Sequence, residues 1–66
     1  MADLGFIGIG RVGRLALELV SKEYKDLDIV TIDCRDLSKY VSRINPDIRF
    51  YRTCDPSEAV DLLHGT

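Results

Sequence analysis

Gly8-Ile9-Gly10-Arg11-Val12-Gly13 follows the apolar run Leu4–Ile7 and precedes a stretch with helical spacing. Asp33 closes a second apolar run, twenty positions after Gly13. Strand, glycine turn, helix, strand and acid together give a G-x-G-x-x-G its mechanism. The first glycine allows a tight turn, and the second lets backbone approach a pyrophosphate. The third lets the helix pack closely on its strand. Phosphates then meet the unpaired N–H groups and the positive end of the helix. The acid accepts from a ribose 2′-hydroxyl. The expectation is a dinucleotide site.

The rest of the chain continues the alternation of helix and strand, without an internal repeat. Val12, Leu15, Ala16, Leu19 and Val20 fall at i, i+3, i+4, i+7 and i+8, which predicts a helix burying that stripe. Leu17 lies off it, and Glu18 is spaced to pair with Lys22. Ile29–Ile32 is apolar on both faces, as in a parallel sheet covered on both sides. Asp36 or Ser38 caps a shorter helix with the stripe Leu37, Tyr40, Val41 and Ile44, ended by Asn45-Pro46-Asp47. Ile48 to Tyr51 alternates as a third strand. Asp55-Pro56-Ser57-Glu58 carries N-cap, first-position proline and a following acid, and His64-Gly65 reads as the far end of that helix.

The order is β-α-β-α-β-α, and right-handed crossovers predict parallel strands in the order 3-2-1. In a larger sheet, Leu4–Ile7 would be central and paired on its second side. The open edge implies a fragment of a longer protein, a homodimer pairing these edges, or a completing chain.

At 66 residues the chain forms one domain at most, and burial in so small a domain gives marginal stability. A net charge of −2 offers no general attraction to nucleic acid or to an anionic membrane, so any anion site must be local. No apolar run reaches the roughly 18–20 residues that span a bilayer. The start, Met1-Ala2-Asp3, lacks the marks of a secretory leader. Cys34 and Cys54 have neither the number nor the spacing of a disulfide framework or zinc site, which implies a reducing, cytoplasmic setting. Both follow strand ends and are expected as neighbouring thiols. His64 is expected at the opposite end of the sheet, so a Cys–His catalytic pair is not expected, and neither is any other catalytic or metal-ligating residue.

Gly5–Ala16 (G-F-I-G-I-G-R-V-G-R-L-A) followed by Asp28–Asp36 (D-I-V-T-I-D-C-R-D) resembles the start of NAD(P)-binding Rossmann domains. It is most similar to the saccharopine-dehydrogenase type and to the TrkA-N type of potassium-uptake regulators. The likeness lies in the R-V-G turn, the acid ending strand two, and the D-P pair at Asp55-Pro56. Glyceraldehyde-phosphate dehydrogenases share the pattern of Gly8 to Arg14, with a poorer fit after Asp33. Where sensor domains carry an acid before the D-P pair, this chain has Arg52-Thr53-Cys54.

The resemblance implies an α/β half Rossmann unit over residues 1–66, a three-stranded sheet with helices on both faces. It implies an NAD(P)-binding module of an oxidoreductase (dehydrogenase) that holds the ADP half of the cofactor without catalysing alone. The alternative is a nucleotide-sensing regulatory module. Gly8, Gly10, Arg11, Val12 and Gly13 would surround the pyrophosphate, and Asp33, Cys34 and Arg35 the adenosine ribose. Asp33 favours NAD, while Arg35 leaves NADP open by offering a partner to a 2′-phosphate.

Overall fold

The computed structural model describes residues 2–65, so Met1 and Thr66, with the leader and chain-end readings that fall on them, lie outside the described residues. Three strands alternate with three helices: β1 (Leu4–Ile7), α1 (Arg11–Glu23), β2 (Ile29–Asp33), α2 (Ser38–Ile44), β3 (Arg49–Arg52) and α3 (Pro56–Gly65). The strands form one parallel sheet in the order β1-β2-β3, which reads 3-2-1 from the opposite edge. β2 is the middle strand. It pairs Leu4 to Ile29 on one side and Asp33 to Arg52 on the other. β1, expected at the centre of a larger sheet, is a half-exposed edge among the described residues.

Alternation along β2 sends side chains to two separate cores. Ile9, Leu17, Ile29, Val41 and Ile48 pack under α1 and α2, joined by Phe6, Val20 and Phe50. Val30, Ile32 and Ala59 pack under α3, joined by Tyr51, Leu62 and Leu63. Helices therefore cover both faces. Each fully buried Leu, Ile or Val contributes about 1.5–3 kcal/mol, so these few residues carry much of a small domain's stability. Thr31, buried within β2, satisfies its hydroxyl by donating to the Arg49 carbonyl at 2.9 Å. Leu63 sits where a Cβ on Gly5 would be, so the bare backbone of β1 lets α3 settle against it.

The buried face of α1 differs from the expected stripe. Leu17 is 0% exposed and Ser21 is buried, whereas Val12, Leu15 and Leu19 are 79%, 65% and 60% exposed. Ala16 and Val20 are half-buried at the margin. The reason lies in the glycine turn. Gly13 is seated against the Gly8 carbonyl, where a Cβ would lie 3.4 Å away, and this sets the rotation of the helix. Leu17 and Ser21, at i+4 and i+8 from Gly13, then share its inward face. Glu18, expected to pair with Lys22, instead accepts from the Tyr40 hydroxyl at 3.1 Å and ties α1 to α2.

Helix starts follow the expected signals with small shifts. Asp55 Oδ1 accepts from the Ser57 N–H at 3.0 Å, and Pro56 opens α3. Asp36 Oδ1 accepts from both the N–H and the hydroxyl of Ser38, and α2 begins at Ser38. α3 runs through Gly65 instead of being capped there. β3 begins one residue later than expected, with Ile48 buried just before it.

Candidate functional site

The turn from β1 into α1 lies at the C-terminal ends of the strands, where open α/β sheets bind their ligands. Gly8 adopts φ +81°, the left-handed region that favours glycine, and its N–H donates to the Ile32 carbonyl at 2.8 Å. Ile9 follows, fully buried. Gly10 is the N-cap of α1 in extended backbone, with no side-chain cap on the helix and no acid in its first turn. The first intrahelical bond runs from the Arg14 N–H to the Gly10 carbonyl at 2.9 Å. The N–H groups of Arg11, Val12 and Gly13 precede that bond and have no helical acceptor. Around Gly10 a Cβ would meet nothing within 4 Å, so the space in front of these donors is open.

A hollow of about 330 Å³ lies there, lined by Ile9, Gly10, Arg11, Arg14 and Arg35. Three guanidinium groups and a helix N-terminus around one space make an anion the fitting occupant. Arg14 was not singled out from the sequence. Its guanidinium carbon sits over the Tyr40 ring, 4.9 Å from the centroid, a cation–π contact beside the hollow that Arg14 also lines. Its place three residues after Arg11, one turn along the helix, is the signal that could have revealed it.

Asp33 is 7% exposed and its carboxylate is fully engaged. The Ile9 N–H donates to Oδ2 at 2.7 Å, and the Arg35 N–H donates to Oδ1 at 2.9 Å. Arg35 adds Nε to Oδ1 and Nη2 to Oδ2, both at 3.1 Å. Nη2 also donates to the Ile9 carbonyl at 2.6 Å. The Arg35 guanidinium holds the Asp33 carboxyl well below the usual carboxylate range, against the opposing effect of burial, and the two backbone donors add to the lowering. A carboxylate offers about four acceptor positions, and here all four are used. The acid expected to meet a ribose is, in this state, the tie between the glycine turn and the loop after β2. Ile9, which the sequence reading passed over, is the other end of that tie.

Cys34 and Cys54, expected as free thiols, are joined by a disulfide with Cα atoms 4.4 Å apart. The register explains it. Asp33 pairs with Arg52, and the Thr53 N–H donates to the Asp33 carbonyl at 3.1 Å, so both chains leave the sheet side by side. A disulfide of this kind is rare in cytosolic proteins, which bears against the reducing-setting inference drawn from cysteine number. The bond borders a second hollow, of about 250 Å³, lined by Gly8, Asp33, Cys34, Thr53, Cys54 and Asp55 among others. Asp33 lines this hollow, and its partner Arg35 lines the first. His64 lies in the last turn of α3, and among the described residues no group of three or more His, Cys, Asp or Glu gathers in a way that could hold a metal. Among the described residues no helix is long and apolar enough to cross a membrane.

Set against protein-family models, curated proteins and solved structures, the chain matches none of them. The site must therefore be judged on its own chemistry. That chemistry is an opening at the start of α1 framed by backbone donors and arginines, with the buried acid Asp33 bound to one of those arginines.

Proposed function

We propose that this chain is an NAD(P)-binding module that holds the ADP half of the cofactor and serves an oxidoreductase without catalysing by itself. The observation that carries the reading is the uncapped start of α1. Its free donors face an opening at Gly10 ringed by Arg11, Arg14 and Arg35. A pyrophosphate there would be met by the Arg11, Val12 and Gly13 N–H groups and by the arginine heads. The adenosine would extend past Asp33 toward the hollow bordered by Cys34 and Cys54. Hydride chemistry belongs to the cofactor and needs a substrate oriented against it.

Arg35 governs the ribose end. Its side chain is 57% exposed while that of Asp33 is 6% exposed, so the head leaves the carboxylate only where ribose hydroxyls take over its bonds. Once it swings away, Asp33 regains acceptor positions for ribose hydroxyls, which suits NAD. The displaced guanidinium would suit a 2′-phosphate equally, so NADP stays within the proposal. A cytoplasmic setting is also part of it. There Cys34 and Cys54 would be held as the two thiols, because cytosolic thiols are kept reduced.

A second reading, a nucleotide-sensing regulatory module, is favoured by one observation. The positive charge gathers at the phosphate end while the ribose acid is already engaged, which suits polyphosphates generally. Calorimetric titration with NAD, NADP, ADP and ATP tests both. Preference for a dinucleotide supports the first reading, and equal or tighter binding of ATP supports the second. Absence of binding by all four at millimolar concentration rejects both.

A further inference from the structure

We infer that Cys34 and Cys54 form a site of reversible oxidation, opening and closing by exchange with low-molecular-weight thiols while the fold persists in both forms. The inference is independent of the nucleotide reading. Both residues are exposed and lie outside the two cores. Structural disulfides resist reduction by cellular thiols, whereas exposed ones are the labile and regulatory kind. A cysteine open to solvent is also one that an oxidant or a thiolate can reach.

The bonds around the pair keep its two ends together without the sulfurs. β2 and β3 are paired from Val30 and Arg49 to Asp33 and Arg52. Within that pairing the Thr31 hydroxyl donates to the Arg49 carbonyl. Past it, the Thr53 N–H donates to the Asp33 carbonyl at 3.1 Å, and Arg52 Nε donates to the Cys34 carbonyl at 2.9 Å. None of these contacts passes through a sulfur atom, so both loops stay in register when the disulfide opens. The thiols then remain neighbours, and an intramolecular partner outcompetes one from solution. Folding favours closure, and closure favours the fold to the same degree.

Opening begins when a small thiolate attacks one sulfur of the pair. A mixed disulfide forms on that cysteine, and the Cys34–Cys54 bond breaks. Its electron pair leaves on the other cysteine as a thiolate, which takes up a proton. A second small thiolate then attacks the small-molecule sulfur of the mixed disulfide and releases the remaining cysteine. Two small thiols are thereby oxidised to a disulfide, and the protein disulfide is reduced to two thiols. Closing runs the same steps in reverse, with the small-molecule disulfide as oxidant. In a reducing setting the resting form is the dithiol, and an oxidising shift closes it.

Equilibration in mixtures of reduced and oxidised glutathione, followed by acid quench, alkylation and mass spectrometry, tests the inference. The expected result is one transition between disulfide and dithiol, with the same midpoint from either starting form. Circular dichroism should report a folded chain at both ends. In denaturing urea the midpoint should move about thirtyfold toward the dithiol, because the fold supplies the proximity. Cys34→Ser, which cannot close, should carry glutathione on Cys54. A bond that resists every mixture until urea is added would be a structural staple and would overturn the inference. So would a pair that never closes in excess oxidised glutathione, a midpoint unmoved by urea, loss of the folded spectrum on reduction, or an unmodified Cys54 in Cys34→Ser.

Discussion

The buried carboxylate of Asp33 holds the Ile9 backbone N–H at 2.7 Å across 24 residues of sequence. That bond fixes the glycine turn to the end of the neighbouring strand. The same carboxylate grips Arg35 through its backbone N–H and its guanidinium. A single acid thus sets the shape of the turn and the position of the cation beside the anion opening.

Asp33→Ala leaves the N–H of fully buried Ile9 without this acceptor, and a lost charge-assisted bond of that kind costs about 2–3 kcal/mol. In a domain of this size the loss consumes much of the total stability. Denaturant unfolding of both proteins at neutral pH measures it, and a loss under about 0.5 kcal/mol, within the range of ordinary surface changes, would contradict the structural role given to Asp33.

Acid should reveal the same group. The folded-state value of Asp33 lies below that of the unfolded chain, so the folded state favours the ionised form. Its contribution is fully present above about pH 4, the ordinary Asp value, and is lost as pH falls below that toward the folded value. Asp36, lowered by its bond from the Ser38 hydroxyl, adds a dependence of the same sign. The expected result is a steep fall in unfolding midpoint below pH 4 that is shallower in Asp33→Ala. Parallel profiles would refute it.

Ser21 lies on the buried face of α1, and its hydroxyl has no hydrogen-bond partner among the described residues. Ser21→Ala removes a desolvated polar atom and raises helix propensity, which should stabilise the chain by about 1 kcal/mol. Thermal melts decide it. A destabilised variant would mean that the hydroxyl has work the structure does not reveal.

Reducing the Cys34–Cys54 bond, or replacing both residues by Ser, should lower stability by about 2–3 kcal/mol, since the closed loop spans a sequence separation of 20. Unfolding curves with and without a dithiol reductant make the comparison, and identical curves would count against a formed bond in solution.

Arg35→Ala separates the two cofactors. Without the guanidinium, Asp33 keeps its Ile9 bond and regains acceptor positions. NADP affinity should fall about tenfold through loss of the 2′-phosphate partner, and NAD affinity by clearly less, since NAD loses only one of the arginines beside the pyrophosphate. Equal loss for both would make Arg35 a pyrophosphate contact alone.

Much of the architecture was legible because local signals agreed. Asp55-Pro56 opens α3, Asn45-Pro46 ends α2, and the unbroken apolar run of β2 marks a strand covered on both faces. Periodicity failed on α1, where two apolar faces compete. The stripe of Val12, Leu15 and Leu19 outweighs Leu17 by count, yet Gly13 against the Gly8 carbonyl turns Leu17 inward. The glycine turn and its acid were legible from spacing. That Asp33 would be saturated by Ile9 and Arg35 was not, because it depends on how closely two loops approach in space. The cysteine pair was hidden likewise: its separation of 20 residues says nothing until the register sets Asp33 beside Arg52.

The central claim is that a phosphate occupies the open space at Gly10, where the fold leaves room for a Cβ. Gly10→Ala should therefore leave the unfolding free energy within about 0.5 kcal/mol of the parent while lowering NAD affinity at least tenfold, because the methyl group stands between the backbone donors and the pyrophosphate. Paired calorimetric titrations and melts on the two proteins give the answer. Equal NAD affinity in parent and variant would contradict the claim.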